Sequence, residues 1–269
     1  VGRLVFPNRA TRLSITVGLI ADLKVINPFD FFIEEWAETV PFAYPDNLLE
    51  DLKPYLRPVD DADDLTAAWV RNFDVVPGTG TIDFLVSLNR AVNADVGYSV
   101  RLEAGVQTPD FTLRTGIGSC RDSAWLLVAI LRKMGFAARF VSGYLVQLSA
   151  DVEALDGPSG PAADFTDLHA WTEVYIPGAG WVGLDPTSGL LAGEGHIPLS
   201  ATPHPVSAAP ITGAVEPCES TLDFVNVVTR VHEDPRVTLP YTEQAWESIQ
   251  ALGAVIDERM AERDVRLTV

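Results

Sequence analysis

Cysteine is scarce in this chain: Cys120 and Cys218 are the only two in 269 residues, too few for a disulfide framework. A bridge joining them would use up both, whereas a thiol that does chemistry must be free. An uninterrupted apolar stretch of about 18 residues is also missing, as is an N-terminal apolar run flanked by basic residues. Neither a membrane span nor a signal peptide is therefore legible, and the cytoplasm is the expected compartment. The chain opens on Val1 rather than Met, so it reads as part of a longer product. Basic residues are few. The 19 Lys and Arg stand against 37 Asp and Glu, and the formal net charge of −18 repels phosphate, which argues against nucleic acid as the main partner. His196, His204 and His232 lack a spacing that would join them into a metal site. Asp60-Asp61-Ala62-Asp63-Asp64 lacks the glycine and spaced ligands of a calcium loop and reads as acid leading into a helix.

What the chain does contain suits a folded globular protein of one large domain or two smaller ones: 47% of residues are hydrophobic and 21% charged. Residues 10–45 alternate apolar and polar positions (Leu13, Ile15, Val17, then Leu23, Val25) between prolines, which predicts short strands and a β-rich region over 1–60. Helices are expected around Ala67 to Trp69 and across Ile82, Leu85, Val86 and Leu88. The strongest helical pattern starts near Ser119, carries Trp125, Leu127, Val128, Leu131 and Met134, and stops at Gly135. Strand patterns follow at 138–148, 168–176 and 181–185. Between the first two, 150–166 is rich in Gly, Pro, Ala and Asp and reads as a mobile loop. A catalytic core over 61–195 would then give way to 196–269: a segment holding Pro198, Pro203, Pro205, Pro210 and Pro217, a strand at 221–231, and a helix through Trp246, Ile249, Leu252, Ile256 and Met260.

Three residues at the edges of these elements carry the chemistry. Ser119-x-x-Asp122 ahead of an apolar helical run fits a capping box, with Cys120 in the first turn. Unpaired N–H groups and the positive end of the helix dipole there favour thiolate, and could stabilise an oxyanion. Arg121 would favour the sulfur anion, and Asp122 would oppose it unless turned back into the cap. His169 opens an alternating strand and Asp185 closes the next, 16 residues on. Because 16 is even, the two share a sheet face when the hairpin loop is odd, and face apart when it holds four residues. A five-residue loop, Tyr175 to Ala179, would pair Thr172 with Val182 and His169 with Asp185. One imidazole nitrogen would then meet the carboxylate while the other faces sulfur. Arg139 is expected in a structural ion pair, and Cys218, between Pro217 and Glu219, as a bystander.

These residues resemble the transglutaminase-like superfamily of papain-type folds. The resemblance is carried by Gly118-Ser-Cys-Arg-Asp-Ser-Ala-Trp-Leu-Leu, Arg139-Phe-Val-Ser-Gly-Tyr, His169-Ala-Trp-Thr-Glu-Val-Tyr and Gly180-Trp-Val-Gly-Leu-Asp-Pro-Thr, four blocks in order across roughly 80–190. It implies an α+β fold: a papain-like core with the nucleophile at a helix N-terminus packed on an antiparallel sheet, preceded by a small β-rich region. It implies Cys120 as nucleophile, His169 as base and Asp185 as orienter. Gln107 and Tyr98 are candidates for a second oxyanion donor, and Trp171 for lining an acyl groove. The calcium sites of animal cross-linking enzymes are not recognisable, so no metal and no cofactor are expected. The implied activity is cysteine-dependent acyl transfer on a peptide or protein amide, with hydrolysis ahead of transamidation because no amine pocket is identifiable. A non-catalytic interaction module is the rival of another class. The proline-rich stretch and last helix further resemble a segment that joins such a core to a downstream domain.

Overall fold

A computed structural model describes residues 2–24, 27, 29–60, 62–149, 161–213, 215–232 and 243–262. The chain divides into two units, one of Val1–Gln147 with Thr166–Asn226 and one of Leu148–Phe165 with Val227–Val269. Among its described residues the first unit holds the α-helices α1 (Asp46–Leu56), α2 (Leu65–Asn72), α3 (Thr81–Asp95), α4 (Pro109–Thr115) and α5 (Cys120–Lys133). Its strands are β1 (Gly97–Tyr98), β2 (Ile117–Gly118), β3 (Ala138–Gln147), β4 (Phe165–Ile176), β5 (Gly180–Asp185), β6 (Leu190–Leu191) and β7 (His196–Thr202). β1 and β2 make a short parallel pair, and the other five form one sheet in the order β6-β5-β4-β3-β7. The β3–β7, β4–β5 and β5–β6 pairings are antiparallel.

Helix α5 is the hub. Ala124, Leu126, Leu127, Val128, Ile130 and Leu131 are fully buried, so the helix is apolar on nearly every side and is packed all round. Each large aliphatic side chain removed from water there contributes about 1.5–3 kcal/mol. Its partner face on β4 and β5 is Ala170, Thr172, Val174, Ile176, Val182 and Leu184, all buried. The Thr172 hydroxyl donates to the Ala124 carbonyl at 2.8 Å and ties helix to sheet. On the α3 side, Phe84, Leu85, Leu88 and Val92 complete the same core.

Several expectations are corrected. No strand forms over residues 2–24 or 29–45 among the described residues, and Leu13, Ile15 and Val17 are exposed. Alternation supplies a face for a strand but not the neighbour that a ladder needs, and the β-pairing of this segment among the described residues is a single isolated bridge between Thr39 and Gly80. Residues 221–231 are likewise irregular rather than a strand. The core also does not stop at 195, because β7 closes the far edge of the sheet against β3 and Ala208 is buried in the core cluster. The expected loop over 150–166 lies, for 150–160, outside the described residues. Helices α1 and α4 were not legible in the periodicity, α4 being a single short segment capped by Thr108 and opened by Pro109.

The second unit contains α6 (Glu243–Glu262), the helix expected through Trp246 and Met260. Within that unit the Arg230 guanidinium donates to both carboxylate oxygens of Asp164 and to the Ser149 carbonyl.

Candidate active site

Cys120 is the first residue of α5, and Ser119 is its extended N-cap. Asp122 turns back into the cap. Its Oδ2 accepts from the Ser119 amide at 2.9 Å and from the Ser119 hydroxyl at 2.8 Å, while Oδ1 accepts from the Gln107 amide at 2.8 Å. Arg101 completes the ring of donors with Nε to Oδ2 and Nη2 to Oδ1, both at 2.9 Å. Burial alone would raise the Asp122 pKa, but these hydrogen bonds outweigh it and hold the carboxyl below its usual range. The acid that threatened the thiolate is thus neutralised by Arg101 and locked in the cap. A Cβ on Gly118 would stand 2.9 Å from that of Asp122, so only glycine admits the cap in this form. Arg121 turns away and donates to the Arg101 and Glu103 carbonyls.

His169 and Asp185 come from neighbouring strands. The hairpin closes with Ile176 opposite Gly180 and pairs Thr172 with Leu184 and Val174 with Val182. The loop is therefore Pro177-Gly178-Ala179, odd as expected but of three residues rather than five. Tyr175 stays in the strand because its amide donates to the Ala137 carbonyl at 2.9 Å. The shift makes His169 and Asp185 diagonal neighbours on one face instead of directly opposed, and a long side chain spans that separation. His169 Nε2 lies 3.2 Å from Asp185 Oδ2, with both side chains buried. This leaves Nδ1 for the sulfur. Burial favours the neutral ring, but hydrogen bonds to Asp185 and Cys120 and the negative charges of both push His169 up to about 9. Asp185 is desolvated too, yet the two imidazoles, the charge of His169 and the Thr187 amide hold it well below the ordinary carboxylate range. Asp185 therefore meets the His169 ring, and Cys120 is near enough to that ring to raise its pKa, an arrangement able to generate a thiolate beside an imidazolium and to move a proton to a leaving group.

The other sequence candidates divide. Tyr98 sits across the β1–β2 pair from Gly118, two residues before Cys120, and partial burial, then the charges of Cys120 and Asp167, push its phenol up. Gln107 is engaged at two atoms: its backbone N–H donates to Asp122, and its side-chain oxygen accepts from Thr112 at 2.9 Å. Trp171 is 1% exposed and lines no groove; it is packed against His169 and His196 as a support. Arg139 pairs with Glu173 at 2.6 Å and lies over the Trp181 ring. Cys218 is free and exposed.

Sequence reasoning missed His196. Its Nε2 lies 3.3 Å from Asp185 Oδ2, although it belongs to β7 at the far edge of the sheet. It arrives through 192–195, which crosses from β6 to β7. Ala192 is seated on Gly183, where a Cβ would collide with its methyl group, and its amide donates to the Gly183 carbonyl. No local periodicity encodes such a crossing; the glycine at 183 in a strand was the one available signal. His169, Asp185 and His196 each offer a ligand atom within 4.8 Å of the others, which is the cluster among the described residues that could hold a metal ion.

A family profile described as the transglutaminase-like superfamily matches residues 69–186. Residues 69–186 are thus similar to that superfamily. A second profile, "Putative amidoligase enzyme (DUF2126)", matches residues 216–269. The chain is similar to the uncharacterized protein Rv2569c of Mycobacterium tuberculosis, 28% identical over 216 residues, 76% of this chain and 65% of that one. The chain thus spans 65% of the length of the first curated relatives it matches. The protein-glutamine gamma-glutamyltransferase of Pseudomonas aeruginosa is 34% identical over 83 residues, 29% of this chain and 11% of that protein. Among solved structures, a chain described as "a Putative Cysteine Protease" from Cytophaga hutchinsonii aligns with a TM-score of 0.48 and 24% identity over 64% of this chain and 53% of that one.

Proposed function

We propose that the transglutaminase-like core is an enzyme that breaks peptide or side-chain amides through a thioester on Cys120. The supporting observation is the 3.2 Å approach of His169 to Asp185, with Cys120 at the first turn of a buried helix and near enough to the ring to shift its pKa. Cys120 Sγ attacks the carbonyl carbon, and the oxyanion is met by the Cys120 N–H and the Tyr98 hydroxyl. Collapse breaks the C–N bond, and the His169 imidazolium gives its Nδ1 proton to the departing amine. Water then loses a proton to His169 as its oxygen bonds to the thioester carbon; the C–S bond breaks, releasing a carboxylic acid and regenerating the pair. Throughout, Asp185 stays ionised and holds the ring's other nitrogen.

Hydrolysis is the first reading. A second, transamidation, replaces that water with an amine and draws support from the 83-residue likeness to a protein-glutamine gamma-glutamyltransferase. Incubating the protein with a peptide library, with and without a primary amine, and intact-mass analysis after acid quench tests both. Acyl adducts on Cys120 that decay to free acids support hydrolysis, and amine incorporation supports transamidation. No adduct and no turnover in either arm leaves a non-catalytic module and refutes the proposal.

A further inference from the structure

Resting on that reading of the site, we infer that His196 is a positioning residue that holds Asp185 for His169. The Asp185 Oδ2 atom has three neighbours: His169 Nε2 at 3.2 Å, His196 Nε2 at 3.3 Å and the Ser188 hydroxyl at 3.0 Å. Oδ1 accepts from the Thr187 amide at 2.9 Å, and Asn89 anchors the Asp185 backbone carbonyl at 3.2 Å from below. Trp171 stands edge-on to His196, with centroids 5.2 Å apart at 79°, and stacks against His169 at 6.2 Å and 24°. One indole therefore braces both rings, and neither ring can swing without disturbing the other.

The same three ligand atoms invite a metal reading, and the His196 ring decides against it. The Gly193 amide donates to His196 Nδ1 at 3.2 Å. An N–H pointed at Nδ1 needs a lone pair there, so the ring's proton sits on Nε2 and is directed at Asp185. A metal on Nε2 would require that proton to move to Nδ1, where it would oppose the Gly193 N–H. His196 is built to donate. The consequence is chemical. A carboxylate that accepts from two imidazoles and a hydroxyl is fixed in orientation as well as ionised, so its Oδ2 stays aimed at the His169 ring. The titratable groups that meet Asp185 are His169 from β4 and His196 from β7, with Cys120 of α5 reached through His169.

The test is the pH dependence of Cys120 alkylation by iodoacetamide, located by peptide mass mapping, in the wild type, His196→Ala and His196→Gln. Glutamine retains an N–H near the position of Nε2. His196→Ala should slow alkylation at neutral pH by about tenfold or more, as expected for loss of a hydrogen bond to a charged group, and move the acid limb of the profile to higher pH. His196→Gln should recover most of the rate and restore the limb. An unmoved limb in His196→Ala, with a thermal transition like that of the wild type, overturns the inference. So does stoichiometric Zn²⁺ binding in calorimetry that His196→Ala abolishes and prior alkylation of Cys120 leaves intact. A wild type whose Cys120 does not react at all refutes the enzymatic reading instead, so the two failures are distinguishable.

Discussion

Arg101 grips Asp122 through two hydrogen bonds of 2.9 Å, and through it the loop before α4 fastens the start of α5. The Asp122 side chain is fully buried, so removing its charge leaves a desolvated guanidinium and three donors poorly served. Asp122→Asn should cost about 3 kcal/mol, the order found when one partner of a buried ion pair is removed. In differential scanning calorimetry this corresponds to a fall in Tm of roughly 6–12 °C for a domain of this size. Cys120 alkylation should slow as well, because the cap that orients it loosens.

The state of His169 should be visible in stability. Its folded pKa is raised from 6.5 to about 9, so the folded state binds the proton more tightly than the unfolded chain. That stabilisation is fully present below pH 6.5 and is lost as pH rises through 9. The Tm difference between wild type and His169→Gln should therefore shrink between pH 6.5 and 9. A difference that is flat over this window would mean that the ring is neutral in the folded protein. Asp185 has the opposite sign: its depressed pKa stabilises the fold fully above the ordinary carboxylate range, and that contribution is lost progressively as pH falls from there through the depressed pKa.

Tyr98 is exposed, so Tyr98→Phe should leave Tm within about 1 °C. If its hydroxyl serves the oxyanion, kcat on whichever amide substrate is found should drop by about tenfold or more, while KM and the iodoacetamide rate stay near wild type, because alkylation forms no oxyanion. Equal losses in alkylation and turnover would place Tyr98 in support of the thiol instead.

Gly183 should tolerate no side chain. Gly183→Ala drives a methyl group into Ala192 and lifts 192–195 from the sheet, at a cost of about 1–3 kcal/mol. Its denaturation midpoint in urea should fall accordingly, and since the same segment delivers His196, alkylation of Cys120 should fall with it.

How far the site was legible follows from how local each signal is. Cys120 was found because Ser119 and Asp122 cap a helix within four residues. The face shared by His169 and Asp185 was found because strand parity is local as well. The register was missed by two residues, since only the amide of Tyr175 bonding to the distant Ala137 reveals that β4 runs on to Ile176. His196 and Arg101 were invisible for a related reason: each reaches its carboxylate across elements that no periodicity connects. The alternation of Leu13, Ile15 and Val17 misled because it describes a face without a neighbour.

The central claim is that the Cys120 sulfur is activated by His169, and one sample holds both the test and its control. Iodoacetamide labelling at pH 7, resolved by peptide mapping, compares buried Cys120 with exposed Cys218 in the wild type and in His169→Ala. The account predicts that Cys120 reacts faster than Cys218 despite its burial, and that His169→Ala slows Cys120 alone. Labelling of Cys120 that is slower than that of Cys218 in the wild type, or indifferent to His169→Ala, would contradict it.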